Sequence, residues 1–218
     1  MSLVLAATIA GFPQAVVSTF AHCPGTSATI HVSGDMTPSS PTNAVKAVIP
    51  WTDPNVCNKS VTHSIDIVRG VGWVQAGWRK RAGFPVDAYC EVQSSLDPGS
   101  YVLGAYPITA ASHLYGWTYD TSDKTWDCIV DTSVKMSKSL AFVDFASGTM
   151  IDVQGEAKGT HVQIGKMAPG ALLFSGMQFR QATTGSWFTV NVTTDPAPAP
   201  YGIAEPEAGK MQVWTNAH

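Results

Sequence analysis

Charge is scarce in this chain. Only 13% of its 218 residues are Asp, Glu, Lys or Arg, about half the usual share for a globular protein. The longest basic run is Arg79-Lys80-Arg81, and the formal net charge is −3. Such a surface lacks the field that gathers polyanions, so nucleic acid and anionic membranes are not expected partners. Long apolar runs are lacking too. Segment 3–10 is apolar but too short to cross a bilayer. It reads either as the tail of a trimmed signal-peptide hydrophobic region or as a first strand. The six histidines form no HxH or HExxH pattern, and the cysteines form no CxxC, so zinc chemistry has no motif to stand on. No Gly-x-Ser-x-Gly elbow, phosphate loop or dinucleotide fingerprint occurs. No metal and no cofactor are expected. The lack of a repeat of fixed period argues against propellers and solenoids.

Helical periodicity is nearly absent as well. What fills the chain is short alternating runs broken by Gly, Pro, Ser, Asp and Asn, the pattern of an all-β sandwich or barrel. The runs predict strands at 16–21, 27–33, 44–49, 64–68, 72–79, 88–93, 101–107, 114–119, 125–130, 140–146, 149–155, 172–180 and 188–192. Hydrophobic residues make up 44% of the chain, enough for one sizeable core, and this length suits one domain. The expected organisation is a leader remnant or first strand at 1–22 and a sandwich at 23–194. A proline-rich strap and a last edge strand follow at 195–218. The strap, Asp195 to Pro206, has too many prolines to feed a ladder.

Four widely spaced cysteines, Cys23, Cys57, Cys90 and Cys128, suggest two disulfides in an oxidising compartment. Sequential pairing, Cys23–Cys57 and Cys90–Cys128, is the expectation among three connectivities. Four buried thiols are the competing reading.

One stretch is out of keeping with a plain core. In Gly72-Trp73-Val74-Gln75-Ala76-Gly77-Trp78, alternation puts Trp73, Gln75 and Gly77 on one face and Val74, Ala76 and Trp78 on the other. A buried amide must find partners for its donors and its acceptor, so packing alone would prefer an apolar residue at 75. Glycine in a strand marks close approach. Gln75 is therefore expected to face a groove. The competing reading is a half-buried glutamine bonded to backbone. The strand after Ala82-Gly83-Phe84-Pro85 should pair back as a hairpin and bring Tyr89 and Glu91 beside Trp73 and Gln75. A surface ion pair to Arg79 or Lys80 is the plainer role for Glu91. Further on, Asp152, Gln154 and Glu156 share one strand face; Glu156 is either a groove carboxylate or a solvated strand end.

The Gly72–Trp78 stretch resembles the glutamine-bearing strand of the glutamic peptidases (eqolisins), and also the Gly/Trp strand of neprosin-type proteins. Gly155-Glu156-Ala157 with Ile164-Gly165-Lys166-Met167-Ala168-Pro169-Gly170 is similar to the Gly-Glu and downstream Met/Gly segments of the same group. The resemblance spans roughly 61–180. It implies a concanavalin-like, two-sheet antiparallel β-sandwich of jelly-roll type with a Gln75/Glu156 dyad. Glu156 would take a proton from the attacking water and return it to the leaving amine. Gln75 would orient the water and donate to the oxyanion. Trp73, Tyr89 and Glu91 would line the cleft. The expectation is a secreted, monomeric acid endopeptidase acting on protein or peptide. The alternative is a secreted module of the same fold that binds carbohydrate or extended peptide without catalysis.

Overall fold

The computed structural model describes residues 29–54, 56, 59–70, 72–93, 102–109, 111–139, 149–158 and 163–216. The first 22 residues, the Cys23–Cys57 bridge and the strands expected at 16–21 and 140–146 lie outside them.

Every regular element described is a strand. In chain order these are β1 (Thr29–Met36), β2 (Thr42–Pro50), β3 (Ser60–Arg69), β4 (Gly72–Arg81), β5 (Asp87–Gln93) and β6 (Val102–Pro107). There follow β7 (Ser112–Asp120), β8 (Thr125–Val130), β9 (Ser133–Lys138), β10 (Met150–Lys158) and β11 (Lys166–Met167). The last are β12 (Leu172–Gln181), β13 (Trp187–Thr189), β14 (Thr193–Thr194), β15 (Tyr201–Glu207) and β16 (Lys210–Thr215).

They form two sheets. One has seven strands in the order β14-β1-β10-β3-β4-β5-β6. The other has nine, running β11-β16-β12-β2-β7-β8-β9, with β13 added on β12 and β15 on β16. All pairs are antiparallel except β11–β16.

Alternation decides the core. β4 turns Val74, Ala76 and Trp78 inward, and β3 turns Val61, His63, Ile65 and Ile67 inward; all are buried. From the facing sheet come Ile49, Tyr115, Trp117, Trp126 and Phe174. Trp78 fastens the layers. Its ring stacks on His63 at 4.4 Å, and its indole N–H donates to the Pro50 carbonyl at 3.1 Å. A second fastener is covalent: Cys90 on β5 is bonded to Cys128 on β8, so the disulfide joins the two sheets. It closes a loop with a sequence separation of 38, and such a cross-link removes about 4 kcal/mol worth of freedom from the unfolded chain. Replacing both cysteines by alanine is expected to lower unfolding free energy by about that amount in urea titrations.

The tail departs from the expected strap. Residues 201–207 form β15 on β16, because the prolines cluster before it and Pro206 falls in the register shift between Ala204 and Glu207. A residue without an N–H is tolerated at such an irregularity. Nor is β16 an edge strand: β12 and β11 pair in turn with one side of it, and β15 with the other. β9, of sequence Ser-Val-Lys-Met-Ser-Lys, is an added strand the alternation did not predict. It is mostly exposed and held by pairing with β8.

Candidate active site

The outer face of the seven-stranded sheet is polar in its middle, and the register explains how. Across β1, β10, β3, β4 and β5 runs one row of facing residues: Asp35, Asp152, Asp66, Gln75 and Glu91. The next row along holds Ser33, Gln154, Ser64, Gly77 and Tyr89. The row beyond that holds His31, Glu156, Thr62 and Arg79. Each strand reaches this face with every second residue while its other residues fill the core.

Gly77 is required by backbone packing rather than by a ligand. A Cβ there would stand 1.9 Å from the His63 carbonyl oxygen. Gly77→Ala would force β4 from β3 and is expected to lower the melting temperature sharply, at a cost of at least about 1–3 kcal/mol. Differential scanning calorimetry reads this directly.

The rows enclose a groove of about 300 Å³. Trp73, Gln75, Glu91 and Glu156 all line it, so the glutamine, the glutamate and two of the three expected flanking residues share one surface. Tyr89 is different: it is 1% exposed. Burial pushes its hydroxyl well above the ordinary phenol range, and the Asp66 charge adds to the effect. Tyr89 is packed beneath the groove rather than presented to a ligand. Arg79 and Lys80, the plain partners considered for Glu91, are instead paired with Asp87 at 3.0 Å and Asp53 at 2.6 Å.

Gln75 and Glu156 are linked through intermediates. The Gln75 Nε2 donates to Ser64 Oγ at 2.9 Å and to Asp66 Oδ2 at 3.0 Å. The same Asp66 oxygen accepts from Gln154 Nε2 at 2.7 Å. The Gln154 Oε1 lies 2.7 Å from His31 Nδ1, which fixes Nδ1 as the donor, since a carbonyl only accepts. His31 Nε2 then faces Glu156 Oε2 at 3.9 Å, and Lys158 Nζ stands 3.6 Å from the other carboxylate oxygen.

Two acids here are far from ordinary. Asp66, 2% exposed, is held well above the usual carboxylate range by burial and then by the Asp152 charge, against the hydrogen bonds it accepts. Asp152 is pushed up to about 7 by burial, with His31 opposing and Asp35 and Asp195 reinforcing. In acid both are neutral, and the groove floor carries transferable protons. Asp66, Asp152, Gln154 and His31 are functional candidates that the motif reading did not single out. The available signal was Ser64-Ile65-Asp66-Ile67: alternation there buries the isoleucines and sends an aspartate to the face carrying Gln75.

No family model matches this chain, and no curated protein matches it. Its fold is nonetheless that of the glutamic peptidases. Scytalido-glutamic peptidase bound to a peptide-based transition-state analogue superposes with a TM-score of 0.62 at 12% identity, over 87% of this chain and 100% of that one. SCP-B, an eqolisin-family peptidase solved with the tripeptide Ala-Ile-His, gives 0.60 at 11% identity over the same shares. At such identities the likeness is one of fold alone.

Proposed function

We propose that this chain is a secreted endopeptidase that cleaves extended peptides in acid, with Gln75 and Glu156 as its central pair. The observation that carries the reading is that two strands distant in sequence deliver Gln75 and Glu156 to one groove, on a fold shared with peptidases.

An extended segment laid over the sheet would meet Trp73 and Glu91 on one side and Glu156 on the other. Glu156 as carboxylate takes a proton from the attacking water and passes it to the leaving amine. The protonated carboxyls of Asp66 and Asp152 keep the floor neutral, so the sheet does not repel a substrate carbonyl as charge builds on it. An inter-sheet disulfide fits an oxidising, extracellular setting.

The test is incubation of the purified chain with a denatured protein at acidic and at neutral pH, followed by mass spectrometry of the products. Internal cleavage confined to acid is the expected result. One observation favours a second reading: Trp73 beside carboxylates and amides is also a surface for stacking a sugar ring. Saturable binding of an oligosaccharide without any peptide cleavage would select that reading.

A further inference from the structure

Gln75 as it stands is turned the wrong way to stabilise an oxyanion. A primary amide has two N–H donors, and both are spent, one on Ser64 Oγ and one on Asp66 Oδ2. What remains for the groove is the carbonyl oxygen Oε1. That atom can accept from a water or from a peptide N–H, but it repels a developing negative charge. A donor on the groove side requires the amide to rotate by half a turn.

Both partners of Nε2 permit that rotation. A serine hydroxyl donates as readily as it accepts. A carboxylate only accepts, but a carboxylic acid donates. If Asp66 carries its proton on Oδ2, that oxygen donates to Gln75 Oε1 and still accepts from Gln154 Nε2 through its remaining lone pair. The Asp66 Oδ1, which is buried and meets no donor among the described residues, then becomes the carbonyl oxygen of a neutral acid. An unmet acceptor of that kind costs less than half of a buried charge.

We propose that Asp66 is the positioning residue of the groove: as carboxylate it turns the Gln75 carbonyl toward substrate, and as carboxylic acid it turns the Gln75 amide N–H groups there instead. The inference rests on the peptidase reading only for its consequence in activity; the rotation follows from the hydrogen-bond polarity alone.

The groups around Asp66 set where the change occurs. From β10 come Asp152, directly opposite in the ladder, and Glu156. From β1 come His31 and Asp35. From β5 come Glu91 and the buried Tyr89, and beyond β14 Asp195 bears on Asp152. β4 adds Arg79, already paired with Asp87. The surroundings of Asp66 are mostly acidic, which favours its neutral form.

The test uses the whole chain with ¹⁵N-labelled glutamine, the Gln75 side-chain signal being assigned by its loss in Gln75→Glu. In the wild type, nuclear Overhauser contacts from the Gln75 NH₂ to the Ser64 β protons are expected above the pH at which Asp66 ionises and lost below it. In Asp66→Asn, whose own amide can donate to Oε1 at every pH, the signal should hold its acid position throughout. Peptide cleavage by that variant should persist at least about one pH unit further toward neutrality. Asp152→Asn, which removes the opposing charge while leaving Asp66 intact, should move the wild-type transition to lower pH, and it serves where Asp66→Asn does not fold. An NH₂ that keeps its Ser64 contacts at all pH values in the wild type overturns the proposal. So does a transition unchanged in Asp66→Asn, or one that Asp152→Asn leaves in place. If the wild type rotates the amide but cleaves nothing, the peptidase reading fails and this inference stands.

Discussion

Glu156→Gln is expected to lower kcat/KM for a denatured protein substrate in acid by about 10²–10⁴, the usual worth of one positioned general acid–base group. The substitution preserves the size of the side chain and removes its basicity. Its effect should therefore fall on kcat, with KM little changed, because the lost interaction belongs to the transition state. Folding should be nearly unaffected. The partners of Glu156 are Lys158 and His31, each about half exposed, and ion pairs of that kind contribute little to stability. Steady-state kinetics on both proteins, with urea unfolding as the control for folding, make the comparison. Equal kcat in the two removes Glu156 from catalysis and leaves the groove's proton donor to be sought in Asp66 and Asp152.

The second large effect is a dependence of stability on pH with two opposing sources. His63 stacks on Trp78 and meets Phe174 at a tilt in the core, and burial lowers it from 6.5 to about 3. Its Nε2 accepts from the Gly165 N–H at 3.2 Å, so the neutral ring is the one that fits. Between about pH 3 and 6.5 the unfolded chain binds a proton at His63 that the folded chain does not. Stability from this group therefore rises with pH and is lost as pH falls through that window. Asp152 works in the other direction. Its folded value of about 7 lies above the ordinary 3.8, so the folded chain holds a proton that the unfolded chain releases. That contribution is fully present below about pH 4 and is lost as pH rises toward 7. Each spans a little over three pH units, on the order of 4 kcal/mol, and the two nearly cancel.

Asp66, raised in the same sense as Asp152, tips the balance. The wild type should be more stable at about pH 4 than at about pH 7. Asp152→Asn removes one acid and relieves part of the other's shift, so its stability should fall with pH less steeply than that of the wild type. His63→Phe, which keeps a ring against Trp78, should fall with pH more steeply than the wild type. Urea titrations at three pH values distinguish the slopes. Parallel slopes in all three proteins would mean that neither buried group is linked to folding as described.

A good part of this architecture is legible in the chain itself. Strict alternation in β4 and β5, together with the turn at Ala82 to Pro85, placed Glu91 opposite Gln75 in the ladder. The next hairpin, β7 with β8, is equally local, and its ladder sets Trp117 opposite Cys128. Local hairpins are readable because a short turn leaves few registers that bury every second residue. β9 escaped because nothing in Ser133–Lys138 faces the core; its strand conformation comes from its neighbour's open edge. β15 escaped because proline content marks where a ladder bond is missing, not where the chain leaves the sheet.

The chemical character of the site divides along the same line. From residues alone one could infer an all-β sandwich, a cystine between Cys90 and Cys128, and a glutamine on a strand face that packing does not explain. Tertiary structure alone decided that β10 inserts between β1 and β3. That insertion sets Asp152 against Asp66 and brings Gln154 to the same Asp66 oxygen that Gln75 uses, so the acid that takes up a Gln75 donor is held from a strand distant in sequence. Backbone ladder bonds are nearly blind to sequence. Which distant strands become neighbours is settled by how all the apolar faces can be buried at once, and that sum is taken over the whole sandwich rather than along any one stretch of chain.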